Sequence, residues 1–213
     1  MAEMNDSFNE VTAEMLKVIS DYDSVTGFQG AYNIRQDSMC AGRKNSENIT
    51  IESKTDKPGI NIRVKPGTKG ETVYIPACVT HSNVDDLVYN DFFIGEGADV
   101  TIVAGCGVHS DGSETARHNG IHRFFLEKGA KVLYKEKHIG TGKGTGLRRI
   151  DPVTDAYLKE DSYLEMDTVQ LRGVDRTTRS TSAVLDKGAK IVVRERIMTD
   201  GDEDAVTKFK VEL

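Results

Sequence analysis

Gly95-Glu-Gly-Ala-Asp-Val100, Glu127-Lys-Gly-Ala-Lys-Val132, Lys159-Glu-Asp-Ser-Tyr-Leu164 and Asp186-Lys-Gly-Ala-Lys-Ile191 are four copies of one unit, a turn that feeds a strand. Their small residues Ala98, Ala130, Ser162 and Ala189 lie 32, 32 and 27 residues apart. That period is typical of stacked units, each burying an apolar face against its neighbours. The units carry strand patterns and no helical one, so the stacked element is a β-coil and the fold an all-β parallel β-helix. A β-propeller is the competitor. It is weakened because the chain has no Trp and lacks the aromatic signatures of propeller blades.

Upstream, Ile49-Thr-Ile-Glu-Ser53 and Ile60-Asn-Ile-Arg-Val64 alternate apolar and polar residues, and Thr72-Val-Tyr-Ile75 begins another β-rich run. Lys57-Pro-Gly59, Lys65-Pro-Gly-Thr68 and Thr68-Lys-Gly70 separate them as turns, since proline fixes φ and glycine accepts positive φ. Downstream, Ala156–Met166, Thr168–Val174, Ala183–Leu185 and Ile191–Met198 continue the strand pattern. Thr207–Leu213 alternates to the end and leaves an open edge for a partner or further chain to cover. Gly140–Gly146 is glycine-rich, but Lys143 is followed by Gly144 and no helix opens after it, so it reads as a mobile loop between coils rather than a phosphate loop.

One helix is predicted, from Ser7 to about Tyr22. Phe8, Val11, Met15, Val18, Ile19 and Tyr22 make its apolar stripe. Ser7 and Glu10 match a capping box, and Val25-Thr-Gly27 with Gln29-Gly30 end it. This divides the chain into an N-terminal helical segment, 1–28, and a β-helix core, 29–213.

The totals exclude several classes. Net charge is −6 over 213 residues, and no Lys/Arg cluster stands clear of neighbouring acids, so the basic stripe of a nucleic-acid surface is missing. No apolar run approaches the roughly 20 residues that span a bilayer, and Met1–Asp6 shows neither region of a secretion signal. Three widely spaced cysteines, at 40, 78 and 106, argue against a disulfide framework and for a cytoplasmic chain with reduced thiols.

Chemistry concentrates in Ile102–Phe125. Of the eight Cys and His residues, Cys106, His109, His118 and His122 fall within seventeen consecutive positions. Thiolate and imidazole are ligands for zinc, copper and iron–sulfur units. His118 and His122 share a strand face, as do Glu136 and His138 one repeat later, where stacking makes residues of successive coils neighbours. Spacing alone leaves a ligand role and a structural role both open for this group; Cys40 and Cys78 read as small buried hydrophobes.

Ile75-Pro-Ala-Cys-Val-Thr80, Leu87-Val-Tyr-Asn-Asp-Phe-Phe-Ile-Gly95, Val100-Thr-Ile-Val-Ala-Gly-Cys-Gly-Val-His109, His118-Asn-Gly-Ile-His122, Glu136-Lys-His138, Asp151-Pro-Val-Thr154, Thr168–Asp175 and Ala183-Val-Leu185 resemble the core of the SufB/SufD family, over roughly residues 25–213. These are scaffold subunits of SUF-type iron–sulfur cluster assembly. The resemblance implies a right-handed parallel β-helix and a partnership with the ABC-type ATPase SufC. It also implies a second SufB/SufD-type protomer, as a homo- or hetero-pair, and a cysteine desulfurase as sulfur donor. The chain would hold a transient iron–sulfur cluster and would not itself be an enzyme. The family's core continues into a C-terminal helical region with marked assembly residues of its own, so this chain reads as truncated there, and no residue here inherits those roles.

The leading expectation is therefore a cytoplasmic scaffold with Cys106 as sulfur acceptor or cluster ligand. His109, His118, His122, Glu136 and His138 are candidate ligands or proton carriers. Two readings compete: a SufD-like structural partner without its own cluster, and an enzyme using a Cys/His-bound zinc to activate water.

Overall fold

The repeated corners share one backbone turn. The amides of Ala98, Ala130, Ser162 and Ala189 donate to the carbonyls of Gly95, Glu127, Lys159 and Asp186 at 3.0–3.1 Å. The third residue of each turn, Gly97, Gly129, Asp161 and Gly188, has φ between +57° and +73°, a region where glycine is unstrained and aspartate is among the best tolerated alternatives. Corners also bond to each other: Gly97 donates to Lys128, Gly129 to Glu160 and Asp161 to Lys187. Lys65-Pro-Gly-Thr68 is a fifth copy, with Gly67 at +72° and its amide on Glu96.

The computed structural model describes residues 7–23 and 26–213; the expectations placed on Met1–Asp6 and Val25 lie outside them. One helix, α1 (Glu10–Ile19), precedes β1 (Ala31–Gln36), β2 (Met39–Lys44), β3 (Ile49–Ser53), β4 (Gly59–Val64) and β5 (Lys69–Val79). Then come β6 (Asp85–Ile94), β7 (Asp99–His109), β8 (Ala116–Leu126), β9 (Lys131–Thr141) and β10 (Arg148–Ile150). β11 (Val153–Leu158), β12 (Tyr163–Gln170), β13 (Arg176–Leu185), β14 (Lys190–Ile197) and β15 (Asp204–Glu212) complete the chain.

The strands form two facing parallel sheets, a β-helix of about five turns. One sheet runs β14-β12-β9-β7-β5-β1-β2, the other from β13 through β11, β8, β6 and β4 to β3, with β15 on the far side of β13. Asp99, Lys131, Tyr163 and Lys190 stand in register, so the sequence repeat is the physical coil. β10 and β11 fill one lane between β8 and β13, interrupted at Asp151-Pro152, where proline cannot donate to the ladder. Two hairpins depart from the parallel rule: β1–β2 and β3–β4 are antiparallel. The predicted strand 156–166 is split by the third corner, and 168–174 ends at Gln170. Gly144 and Gly146 donate to Ser110 and Gly112 of the preceding coil, so the glycine-rich loop is stacked like the coils it joins.

Inside, one half of the coil is apolar. Phe92 and Phe124 stack at 4.5 Å and Tyr134 meets Phe124 edge-on. Ile102, Val132, Leu164 and Leu126 fill the rest. The other half is polar, and it holds the candidate site.

The helix starts later than the sequence suggested. Its N-cap is Asn9, whose side chain accepts from the Thr12 amide, whereas the Ser7 amide is engaged with Ala41. The buried face is Thr12, Met15, Leu16 and Ile19, which leaves Val18 exposed. This face lies on the outside of β7 because Gly105 and Gly107 present no side chain there: a Cβ at Gly105 would stand 2.5 Å from the Ile19 carbonyl oxygen, and one at Gly107 2.4 Å from the Met15 sulfur. The Gly-Cys-Gly motif thus seats the helix on one face of the strand and turns Cys106 to the other.

Candidate functional site

Along β7 and β9, alternate residues point into the coil. Stacking puts Cys106 opposite His138 and Ala104 opposite Glu136. On the next coil His138 faces Gln170 and Glu136 faces Thr168. Among the described residues, Cys106, Glu136 and His138 form a set whose donor atoms all lie within 4.8 Å of one another. All three are buried. A buried group of this kind costs stability unless its members satisfy one another, which marks it as a candidate site.

The hydrogen bonds fix where the protons are. Arg179, inward-facing on β13, donates through Nη1 to Glu136 Oε2 at 2.8 Å and through Nη2 to His138 Nδ1 at 3.3 Å. Tyr134 donates its hydroxyl to Glu136 Oε1 at 2.8 Å. The Tyr134 oxygen must then accept from His122 Nδ1, at 2.9 Å. His122 Nε2 is left to accept from Asn90 Nδ2 at 3.3 Å. Both rings are neutral in this arrangement.

Burial and charge agree with it. Burial, helped by the Glu136 charge, pushes the Cys106 thiol well up, so it rests protonated. Burial would raise Glu136, but its interactions with His138 and with the Arg179 guanidinium outweigh it and hold the carboxyl well below its usual range. The permanent charge there is that of Arg179, since burial lowers His138 against the pull of Glu136 and keeps the ring neutral. Burial likewise brings His122 down to about 4.

The remaining predicted residues divide. His118 bonds through Nδ1 to Asp86 Oδ2 at 3.0 Å, and Arg35 clamps that carboxylate from its other side at 2.6 Å. His118 and His122 face each other across Gly120, where a Cβ would come within 2.9 Å of His122 Nε2. Gly120→Ala is therefore expected to destabilise by about 1–3 kcal/mol through overpacking; thermal unfolding unchanged from wild type would contradict this. His109, by contrast, turns outward to Thr141 and Asp111, away from the cluster. Arg179 and Tyr134 were not singled out in the sequence; an inward position on a strand alternation was the signal available for each.

A cavity of about 240 Å³ reaches this interior. Buried Cys106, His118, His122 and Asn90 line it together with exposed Cys40, which is therefore not the buried hydrophobe expected. Arg35, Arg43, Lys54 and Lys57 also line it, and among the described residues no carboxylate does. All three cysteines are free thiols. No helix among the described residues is long and apolar enough to cross a membrane.

Fold and site together define a parallel β-helix that encloses a soft-ligand cluster, reached by a cation-lined cavity. Sequence comparison gives the class its name. The chain is 27% identical, over 201 residues and 76% of its length, to an iron–sulfur cluster assembly SufBD family protein of Archaeoglobus fulgidus. It is 32% and 30% identical, over 89 residues each, to SufBD family proteins from two strains of Methanothermobacter thermautotrophicus. It spans 54% of the first relative and 21% of the others. No family model matches the chain. These homologues support the resemblance carried by the motifs: the chain is similar in sequence to proteins of the SufBD family.

Proposed function

We propose that this protein is a scaffold subunit of iron–sulfur cluster assembly, and that Cys106, Glu136 and His138 receive the iron or sulfur being assembled. The observation that carries this is a thiol, a carboxylate and an imidazole within 4.8 Å inside the β-helix. Soft and borderline ions take this mixed donor set. Its resting state holds one ionised acid beside a protonated thiol, so uptake of a divalent cation releases the Cys106 proton and leaves the donor set neutral overall. Three protein donors leave coordination positions open, which suits cargo that must be released. The cation-lined cavity offers small sulfur anions a path to Cys106.

The SufC-type ATPase, a second SufB/SufD-type protomer and a desulfurase as sulfur source complete the proposed machinery. The chain then acts as a cytoplasmic scaffold, and ATP hydrolysis is its partner's work.

Anaerobic reconstitution with ferrous iron and sulfide, on wild type and Cys106→Ala, tests the reading. Brown, iron- and sulfide-bearing wild type beside a colourless variant is the expected result. Equal cluster content in both would remove Cys106 from the site. A colourless wild type that binds one tight zinc and turns over a substrate without partners would favour the zinc-enzyme alternative.

A further inference from the structure

Arg179 stands where an incoming cation would have to go. Its side chain is 6% exposed and is shared between two carboxylates: Nη1 bonds Glu136 Oε2 at 2.8 Å, and Nε lies 3.1 Å from Glu195 Oε1. Nη2 meets His138 Nδ1 at 3.3 Å. A guanidinium has five N–H donors and no acceptor, so the Nδ1 facing it is a bare lone pair and the neutral ring carries its proton on Nε2. Nε2 sits 3.3 Å from Glu136 Oε2 and has no aligned hydrogen-bond partner.

A ligating imidazole nitrogen must offer a lone pair. At Nε2 the proton is in the way, and it cannot move to Nδ1 while an arginine N–H occupies that lone pair. At Nδ1 the guanidinium itself is in the way. We propose that Arg179 is a latch on the donor set. Engaged, it holds His138 in a non-ligating form and balances the charge of Glu136; withdrawn towards Glu195, it releases both residues. Glu195 is placed to receive it, because Glu136, Thr168 and Glu195 stand in one register line through three successive coils. When the latch opens on a divalent ion, Cys106 gives one proton to solvent and His138 moves its own between ring nitrogens. No electron is transferred. The latch gives a physical reason for the site to reject casual cations, and it rests on the reading of Cys106, Glu136 and His138 as ion donors.

Nitrogen-15 histidine NMR on the full chain, with zinc as the diamagnetic probe, tests it. Metal-free wild type is expected to show His138 protonated at Nε2. Arg179→Lys keeps the charge but loses the planar fork, so it is expected to bind zinc about 10-fold more tightly, the scale on which partners of metal ligands act. Cation repulsion alone predicts equal affinity in the two proteins. A metal-free wild-type ring protonated at Nδ1, or equal zinc affinity in the variant, overturns the latch; the wild-type measurement stands even if the variant folds poorly. If zinc leaves His138 and Cys106 unperturbed in both proteins, the donor reading falls and takes the latch with it.

Discussion

Arg179→Met is expected to lower the stability of the protein by about 3–5 kcal/mol, the usual cost of removing one partner from a buried ion pair. Glu136 would be left ionised in the coil interior, with Tyr134 and His138 as its remaining neighbours. Methionine fills comparable space, so the loss reports charge rather than volume. Replacing the Glu136 pair as a whole should be milder: Arg179→Met with Glu136→Gln removes the fully buried charge and leaves only the partly exposed Glu195 without its arginine, and glutamine still accepts from the Tyr134 hydroxyl. Urea unfolding followed by circular dichroism would give the two losses. A single-variant loss under about 1 kcal/mol with an unchanged slope, or a double variant no better than the single, would show that the pair is not the interior's electrostatic anchor. Lys128–Glu160 is the internal control: it is also an ion pair one coil apart, but both partners are in water, and breaking it should change nothing measurable.

The β-helix was legible because its corners are written in small residues and glycines about 30 residues apart, and each copy falls on the same turn. Even the deviant third copy obeys, because aspartate tolerates the positive φ that glycine supplies elsewhere. The fifth copy escaped because Pro66 replaces the charged residue at its second position and Thr68 the alanine or serine at its fourth. Helix boundaries were less legible: Ser7 and Asn9 are both good caps, and tertiary contacts of the Ser7 amide decided between them. The donor set was partly legible. Strand alternation and a 32-residue coil place Cys106 against His138, but closeness in sequence also brought in His109, whose odd offset from Cys106 sends it outward. For Arg179, alternation gives an inward position but not its contact with the cluster. That side chain reaches the cluster from the opposite sheet, and the distance across a coil is not encoded in any repeat.

Acidification should destabilise this protein through its interior before its surface carboxylates are protonated. His122 lies neutral between Tyr134 and Asn90, and burial lowers it from about 6.5 in the unfolded chain to about 4 in the fold. Above about pH 6.5 the ring is neutral in both states and adds no slope. As the pH falls from there, the unfolded chain binds a proton that the folded ring refuses, so stability declines. Near pH 4 the folded ring is protonated too and the loss is complete, at about 3 kcal/mol. His138 is lowered by the same cause and adds to the decline with the same sign. Asp86 and Glu136 act in a separate, lower window. Burial would raise both, but His118 and Arg35 around Asp86, and His138 and Arg179 around Glu136, hold them below the usual carboxylate range. Their stabilisation is present above the unfolded carboxylate pKa and is lost only as the pH falls below it. Urea midpoints taken from about pH 7 down to about pH 4.5 isolate the histidine window. His122→Gln, which can still meet Tyr134 and Asn90 with an uncharged amide, should flatten that part of the curve. A wild-type midpoint that is flat or rises on acidification would mean that His122 is not held neutral, and the proton assignments around Tyr134 and Glu136 would have to be reversed.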